Sequence, residues 1–265
     1  MKEIKPKKID FKYLISKYWY KKLLGNKGIY VTQQKWDHLI ILDACRYDMF
    51  KKVNTIPGTL KYVISRGSST LEWAQENFKG RYFDDIIYIN ANPVIDMTVP
   101  TSFHKLVSLW RYGWNEEYNT VMPYTVYEET IKQLRNHKEK RFIIHFIQPH
   151  YPFIDDKIRD KIGVFDARFG KFKKIKNGKE IWDELRKGAV RKTDLKNAYL
   201  VNLERVLETV KELIEHLPGK IVISSDHGNL FGQYLFPFPL KVYGHPPAIY
   251  HKDLIRVPWL EVEHS

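Results

Sequence analysis

Cysteine is almost missing from this 265-residue sequence: Cys45 stands alone. A single cysteine excludes an intrachain disulfide framework and any zinc site built from several cysteines. No apolar run is long enough to cross a bilayer. The opening residues, Met-Lys-Glu-Ile-Lys-Pro-Lys-Lys, lack the apolar core of a secretion signal, so the expected location is the cytoplasm. Acid is also scarce. Against 44 Lys and Arg there are 31 Asp and Glu, and the net charge of +13 suits an anionic partner: a phosphate or sulfate ester, an anionic lipid or a nucleic acid.

Hydrophobic residues make up 43% of the chain, enough for a sizeable core, and the length suits one large domain or two small ones. The apolar pattern alternates between short and long periods. "DHLIILD" (37–43), "LKYVIS" (60–65), "DDIIYINAN" (84–92), "RFIIHFIQPH" (141–150), "KIVISSD" (220–226) and "IRVPWLEV" (255–262) read as strands. "SSTLEWAQENF" (68–78), "TVYEETIKQLRNH" (125–137) and residues 193–217 read as helices. Interleaved in this way, they predict an α/β fold with a largely parallel sheet sandwiched by helices. Between 155 and 192 the pattern breaks into a very basic stretch, expected as a lid inserted over a site or as a solvated loop. Residues 11–24, "FKYLISKYWYKKLL", mix aromatics and lysines at helical spacing. They fit a basic surface helix packed on the domain, or an interfacial helix in peripheral contact with a membrane.

In an open parallel sheet, ligands bind at the carboxyl ends of the strands. There the first strand delivers Asp43, Cys45, Arg46 and Asp48. The second delivers Ser65, Arg66, Ser68, Ser69 and Thr70, the third Asn90 and Asn92. The fourth carries His145, Gln148 and His150, the fifth Asp226 and His227, and His245 follows in "YGHPP". Each has an ordinary alternative. Asp43, Ser68 or Ser69 can cap a helix, His150 can belong to a turn, and His145 in mid-strand is expected to pack in the core. Together, acids and imidazoles from at least four elements look like a metal cluster, since Asp and His suit zinc or manganese. A hydroxyl at a helix N-terminus sits where backbone N–H groups favour an anion, and becomes a nucleophile once its proton is removed.

The stretches "LIILDACRYD", "GSSTLEW", "IHFIQPHYPF", "SSDHGNLFG" and "YGHPP...RVPW" resemble, in order and in style, the sulfatase-like branch of the alkaline phosphatase superfamily, from about residue 36 to about residue 260. The resemblance implies a three-layer α/β/α fold, with residues 36–265 as a single catalytic domain and 1–35 as a basic extension packed on it. It implies that Asp43, Thr70, Asp226 and His227 bind a first divalent ion, zinc or manganese before calcium or magnesium. His150 and His245 would then face a second ion or the leaving-group oxygen. Gly-Ser-Ser-Thr is similar to the Gly-Thr-x-Thr of phosphoethanolamine transferases, which makes Thr70 the expected nucleophile and Ser69 the alternative. Arg46 and Arg66 are expected, by charge and position, to hold an anionic substrate oxygen.

The sequence departs from this pattern in three places. No Cys/Ser-x-Pro-x-Arg motif is present, which argues against formylglycine chemistry. Asn229 stands where an acid is usual after Ser-Asp-His-Gly, and the chain is short for the superfamily. The expected activity is a metal-dependent hydrolase or transferase acting on a phosphate mono- or diester through a covalent threonine intermediate. The alternatives are a sulfuric ester hydrolase without formylglycine, or a non-catalytic anion- or nucleic-acid-binding protein that retains the fold. A nucleic-acid partner is the weakest of these expectations, and the oligomeric state is left open.

Overall fold

A computed structural model of the protein describes residues 11–162 and 181–262. Helix α1 (Phe11–Tyr18) runs into a π-helical turn, Trp19–Leu24. The elements β1 (His38–Leu42), α2 (Tyr47–Val53), β2 (Gly58–Ile64), α3 (Thr70–Phe78), β3 (Phe83–Asn90), α4 (Pro93–Thr98) and β4 (Phe103–Ser108) then alternate. A short helix α5 (Leu109–Tyr112) and the pair β5 (Trp114–Asn115) and β6 (Thr120–Val121) lead into α6 (Pro123–Asn136) and β7 (Arg141–Phe146). The last part holds α7 (Asp156–Ile162), α8 (Ile181–Lys187), α9 (Lys192–Ile214), β8 (Ile221–Ser224), the hairpin β9 (Leu230–Leu235) and β10 (Leu240–Gly244), α10 (Lys252–Ile255) and β11 (Arg256–Val262).

Seven strands form one sheet in the order β2-β11-β8-β1-β7-β3-β4. Its pairings are parallel apart from those of β11, which runs antiparallel to both of its neighbours. Every residue of β1 and β8 is buried, which is why both read as unbroken apolar runs. On β1, Leu39 and Ile41 face α3 and α4 through Trp73, Phe78 and Ile95. Ile40 and Leu42 face α2, α6 and α9 through Phe50, Val126 and Val206. The predicted three-layer sandwich is therefore present, and each such buried side chain stabilises it by about 2 kcal/mol.

Register decides what reaches the site. Ile41 pairs with Ser224 on one side and His145 on the other, and Asn90 pairs with His145. Continuing these registers past the last paired residues brings Asp43, Asp226 and Asn92 into one row along the carboxyl edge of the sheet.

Three regions differ from the sequence reading. The stretch 155–192 is not wholly irregular: α7 and α8 lie within it, and Trp182 and Leu185 of α8 are buried in the main core. The rest of the expected lid, residues 163–180, lies outside the described residues. Strand β4 and the β9–β10 hairpin were not expected, because an edge strand and a mobile-looking aromatic–proline stretch carry no period of their own.

His38 gives the fold an acid sensitivity. It is buried at the start of β1 against Phe142, and burial pushes its imidazole down to about 4, with the nearby Asp37 charge and the Pro218 carbonyl opposing only in part. The folded state thus holds a neutral imidazole that the unfolded chain protonates near pH 6.5. Its contribution is intact above that value and is lost as pH falls toward 4, by about 3 kcal/mol in all. Denaturant unfolding of wild type and His38→Leu at pH 7 and pH 4.5 checks this: the wild type is expected to lose the larger share of its stability.

Candidate metal centre

Four side chains from three elements meet at the sheet edge. Asp43 follows β1 and Asp226 and His227 follow β8, while Thr70 opens α3. Asp43, Asp226 and His227 are buried and offer ligand atoms that all lie within 4.8 Å of one another. His227 Nε2 is 3.5 Å from Asp43 Oδ1 and 3.4 Å from Asp226 Oδ2. Thr70 Oγ1 donates to Asp226 Oδ2 at 2.7 Å and lies 3.2 Å from His227 Nε2.

The surroundings orient each atom. His227 Nδ1–H donates to the Gly228 carbonyl at 2.7 Å, so the Nε2 lone pair points into the cluster. A Cβ at Gly228 would lie 2.2 Å from the Asp253 carbonyl oxygen, so only glycine lets the chain pass there. Asp226 Oδ1 accepts N–H groups from Ala44 at 3.1 Å and from His227 at 2.9 Å, which leaves Oδ2 for the site. Ala44 reaches it by adopting φ 59°, an uncommon left-handed turn for a residue with a side chain. Tyr199 O–H holds that turn by donating to the Ala44 carbonyl at 2.7 Å. Asn92 Nδ2 donates to Asp43 Oδ2 at 2.6 Å.

Asp43 Oδ1, by contrast, is buried without a hydrogen-bond donor among the described residues. A carboxylate oxygen so placed is costly unless a cation meets it. Burial, followed by the charge of Asp226, pushes Asp43 well above the usual carboxylate range, and the Asn92 hydrogen bond offsets only part of this. Burial also raises Asp226, but His227, His145, the Thr70 hydroxyl and the Ala44 N–H outweigh it and hold Asp226 below the usual range. Two carboxylate oxygens, one imidazole nitrogen and one hydroxyl oxygen thus converge on a single point. This donor set fits a divalent cation.

The expected second group is a pair of histidines. His150 Nε2 lies 2.9 Å from His245 Nε2, and the His245 ring stacks on His227 at 4.5 Å between centroids. His150 Nδ1–H donates to the Tyr151 carbonyl at 2.6 Å, so one proton at most lies between the two Nε2 atoms. Both rings titrate below the ordinary histidine value, through burial first. Asn202 of α9, which the sequence reading missed, pins this loop: its Nδ2 donates to the His150 carbonyl at 3.1 Å and its Oδ1 accepts Ile154 N–H at 3.0 Å. An asparagine inside a helical apolar stripe was the available signal.

The site opens into a cavity of about 390 Å³ lined by Asp43, Thr70, Asn92, His150 and His245 at its base. Leu71, Pro93, Val94, Met97, Trp114 and Ile147 make its apolar wall. Ser69 also lines it, but as the N-cap of α3 it accepts the Glu72 N–H at 3.4 Å. Gly67 makes that helix start possible, since a Cβ there would lie 2.3 Å from Trp73 N.

Neither arginine reaches the cavity. Arg46 is buried and forked onto Asp48 at 2.8 and 2.7 Å, and it also meets Asp253 at 3.1 Å. Arg66 donates to the Asn26 and Gly28 carbonyls at 3.2 and 3.0 Å and to Tyr30 Oη at 2.6 Å, tying that segment to the domain. Both side chains, expected as substrate ligands, are engaged by neighbouring acids and carbonyls and do not line the cavity. His145 is in the core, with Nδ1 2.8 Å from Tyr88 Oη. Among the described residues, no lysine or arginine lines the cavity.

The sheet order and the single antiparallel strand make up an α/β fold shared with solved structures of very different sequence. The soluble domain of lipooligosaccharide phosphoethanolamine transferase A from Neisseria meningitidis superposes with a TM-score of 0.50 at 13% identity, over 85% of this chain and 76% of that one. A putative sulfatase from Bacteroides thetaiotaomicron superposes at 0.52 and 12% identity, over 86% of this chain and 64% of that one. Against the integral membrane form of the Neisseria transferase the TM-score is 0.51 at 13% identity, and the chain spans 47% of that protein. By sequence, the chain matches no family model and no curated protein.

Proposed function

We propose that the protein is a metal-dependent transferase or hydrolase of a monoanionic ester, a phosphodiester first of all, and that Thr70 is its nucleophile. One observation carries the reading. The Thr70 hydroxyl stands at the start of α3, on the cavity floor, in contact with both Asp226 Oδ2 and His227 Nε2. Asp43, Asp226, His227 and Thr70 would hold the ion. When bound, it supplies positive charge that acidifies the hydroxyl and neutralises a non-bridging ester oxygen.

The chain's own groups do the rest. The α3 N-terminus presents backbone N–H groups toward an anion at the same place. The Thr70 Oγ1–phosphorus bond forms as the bond to the leaving oxygen breaks, giving a phospho-threonine. The threonine proton ends on the leaving oxygen, and the His150–His245 pair, whose Nε2 atoms stand 2.9 Å apart, is placed to relay it. Water or an acceptor hydroxyl then reverses these steps at phosphorus, and Thr70 recovers its proton.

With no lysine or arginine among the described residues that line it, the cavity suits one negative charge better than two, and its apolar wall suits a hydrocarbon or aryl substituent. The phosphoethanolamine transferase and sulfatase neighbours support an ester of phosphate or sulfate. A panel of an aryl phosphodiester, phosphomonoester and sulfate, with zinc and manganese supplied in turn, tests the proposal. The diester is expected to turn over at least tenfold faster than the monoester. Turnover of the sulfate alone would replace the phosphate reading, and a preference for the dianionic monoester would overturn the charge argument.

A further inference from the structure

The segment from α1 through the π-helical turn has two faces, and only one of them is used by the fold. Tyr13, Ser16 and Tyr20 point inward, where Tyr20 packs with Leu230, Leu235, Ile249 and Leu254. Phe11, Leu14 and Tyr18 recur at the same helical spacing on the other face and are exposed by 73%, 46% and 62%. Leu23 and Leu24 extend the exposed apolar surface at the end of the turn. The tip of the β9–β10 hairpin adds Tyr234 and Phe236, more than half exposed, and the Phe236 ring meets Trp19 at 4.8 Å. A large apolar patch assembled from two separate elements is rarely left to water. Lys12, Lys21, Lys22 and Lys27 are exposed along the same segment, while between Phe11 and Lys27 there is no acidic residue.

We propose that this face docks the protein on the surface of an anionic lipid bilayer. Aromatic and leucine side chains enter the acyl boundary, and the lysines beside them meet the lipid phosphates. Charge selects this occupant over a second copy of the chain. A twofold contact through this segment would bring its lysines against their own copies, with no acid in the segment to offset them. The segment lies in the interface and does not span it, since among the described residues no helix is long and apolar enough to cross a membrane. The proposal does not depend on Thr70 chemistry, so the two can fail separately.

Cosedimentation of the full chain with vesicles tests it. Vesicles of phosphatidylcholine containing one-third phosphatidylglycerol are expected to bind the protein at least tenfold more tightly than pure phosphatidylcholine, and to release much of it in 0.5 M salt. Leu14→Glu with Leu23→Glu should abolish binding. Lys21→Gln with Lys22→Gln should weaken it about tenfold while leaving folding intact, since both lysines are exposed. Turnover of a soluble aryl ester is expected to stay unchanged in both variants. Equal binding to neutral vesicles, no binding to either, or a salt-stable dimer that Leu14→Glu dissociates would each overturn the proposal.

Discussion

Thr70→Ala is expected to lower turnover of an aryl phosphodiester by about a thousand-fold or more, with little change in melting temperature. The threonine sits at the first position of α3, and its hydroxyl is the group of that helix in contact with both Asp226 and His227. Removing it deletes the nucleophile and one donated hydrogen bond, and leaves the sheet and the helix start in place. Ser69→Ala is the matched control. Ser69 caps the helix, and its loss costs about 1 kcal/mol of stability. Because Glu72 also accepts from Ser68 N–H and Oγ–H, each at 2.9 Å, the helix start survives and turnover should stay within a few-fold of wild type. Thr70→Ser keeps the oxygen and should retain measurable activity. If Ser69→Ala is the dead variant and Thr70→Ala the active one, the two hydroxyls have been assigned the wrong way round. Mass spectrometry of acid-quenched protein adds a second readout, a phosphate adduct present in wild type and absent in Thr70→Ala.

These two hydroxyls also show how far the sequence could be read. Gly-Ser-Ser-Thr announced a helix start at the right place, because capping residues that follow a β-branched strand leave few options. Which oxygen faces the acids was not legible from composition or spacing, since it depends on the φ and ψ of Ser69 and on Gly67 letting Trp73 approach. The same division runs through the rest of the site. Asp43 and Asp226 each end an apolar run, and parallel strands in a common register bring such ends to one row. Arg46 and Arg66 end strands too, yet long side chains reach whatever acid or carbonyl lies nearest. Asp48, two residues on, and the Gly28 carbonyl, far back in the chain, took them away from the cavity. Strand β4 and the β9–β10 hairpin escaped for a different reason. β4 has only two buried residues and β9–β10 is a partly exposed ribbon, so neither carries the continuous apolar signal that marks β1, β7 and β8.

Asp43→Asn is expected to raise the stability of the metal-free protein while abolishing its response to metal. In the chain alone, Asp43 and Asp226 are two buried acids facing one imidazole, and the fold holds Asp43 well above the usual carboxylate range. An acid whose folded value is raised costs stability as pH climbs from the unfolded value toward the folded one, because only the unfolded chain can release the proton freely. An asparagine carries no such penalty. Its oxygen can still accept from Asn92 Nδ2, and its Nδ2–H would stand where Asp43 Oδ1 now does, 3.5 Å from His227 Nε2, whose lone pair can accept from it. With chelator present at pH 7, its melting temperature should therefore exceed wild type by about 5 °C, and the gap should close as pH falls toward 4. Zinc or manganese should then reverse the order. Wild type gains stability in proportion to the logarithm of free metal over its dissociation constant, whereas Asp43→Asn, with one charged ligand removed, gains little. Melting curves of both proteins across metal concentration and pH separate the possible outcomes. A variant less stable than wild type in chelator would mean that Asp43 is held by hydrogen bonds and not by charge. Equal metal-induced shifts in both proteins would place the ion somewhere other than between Asp43, Asp226 and His227.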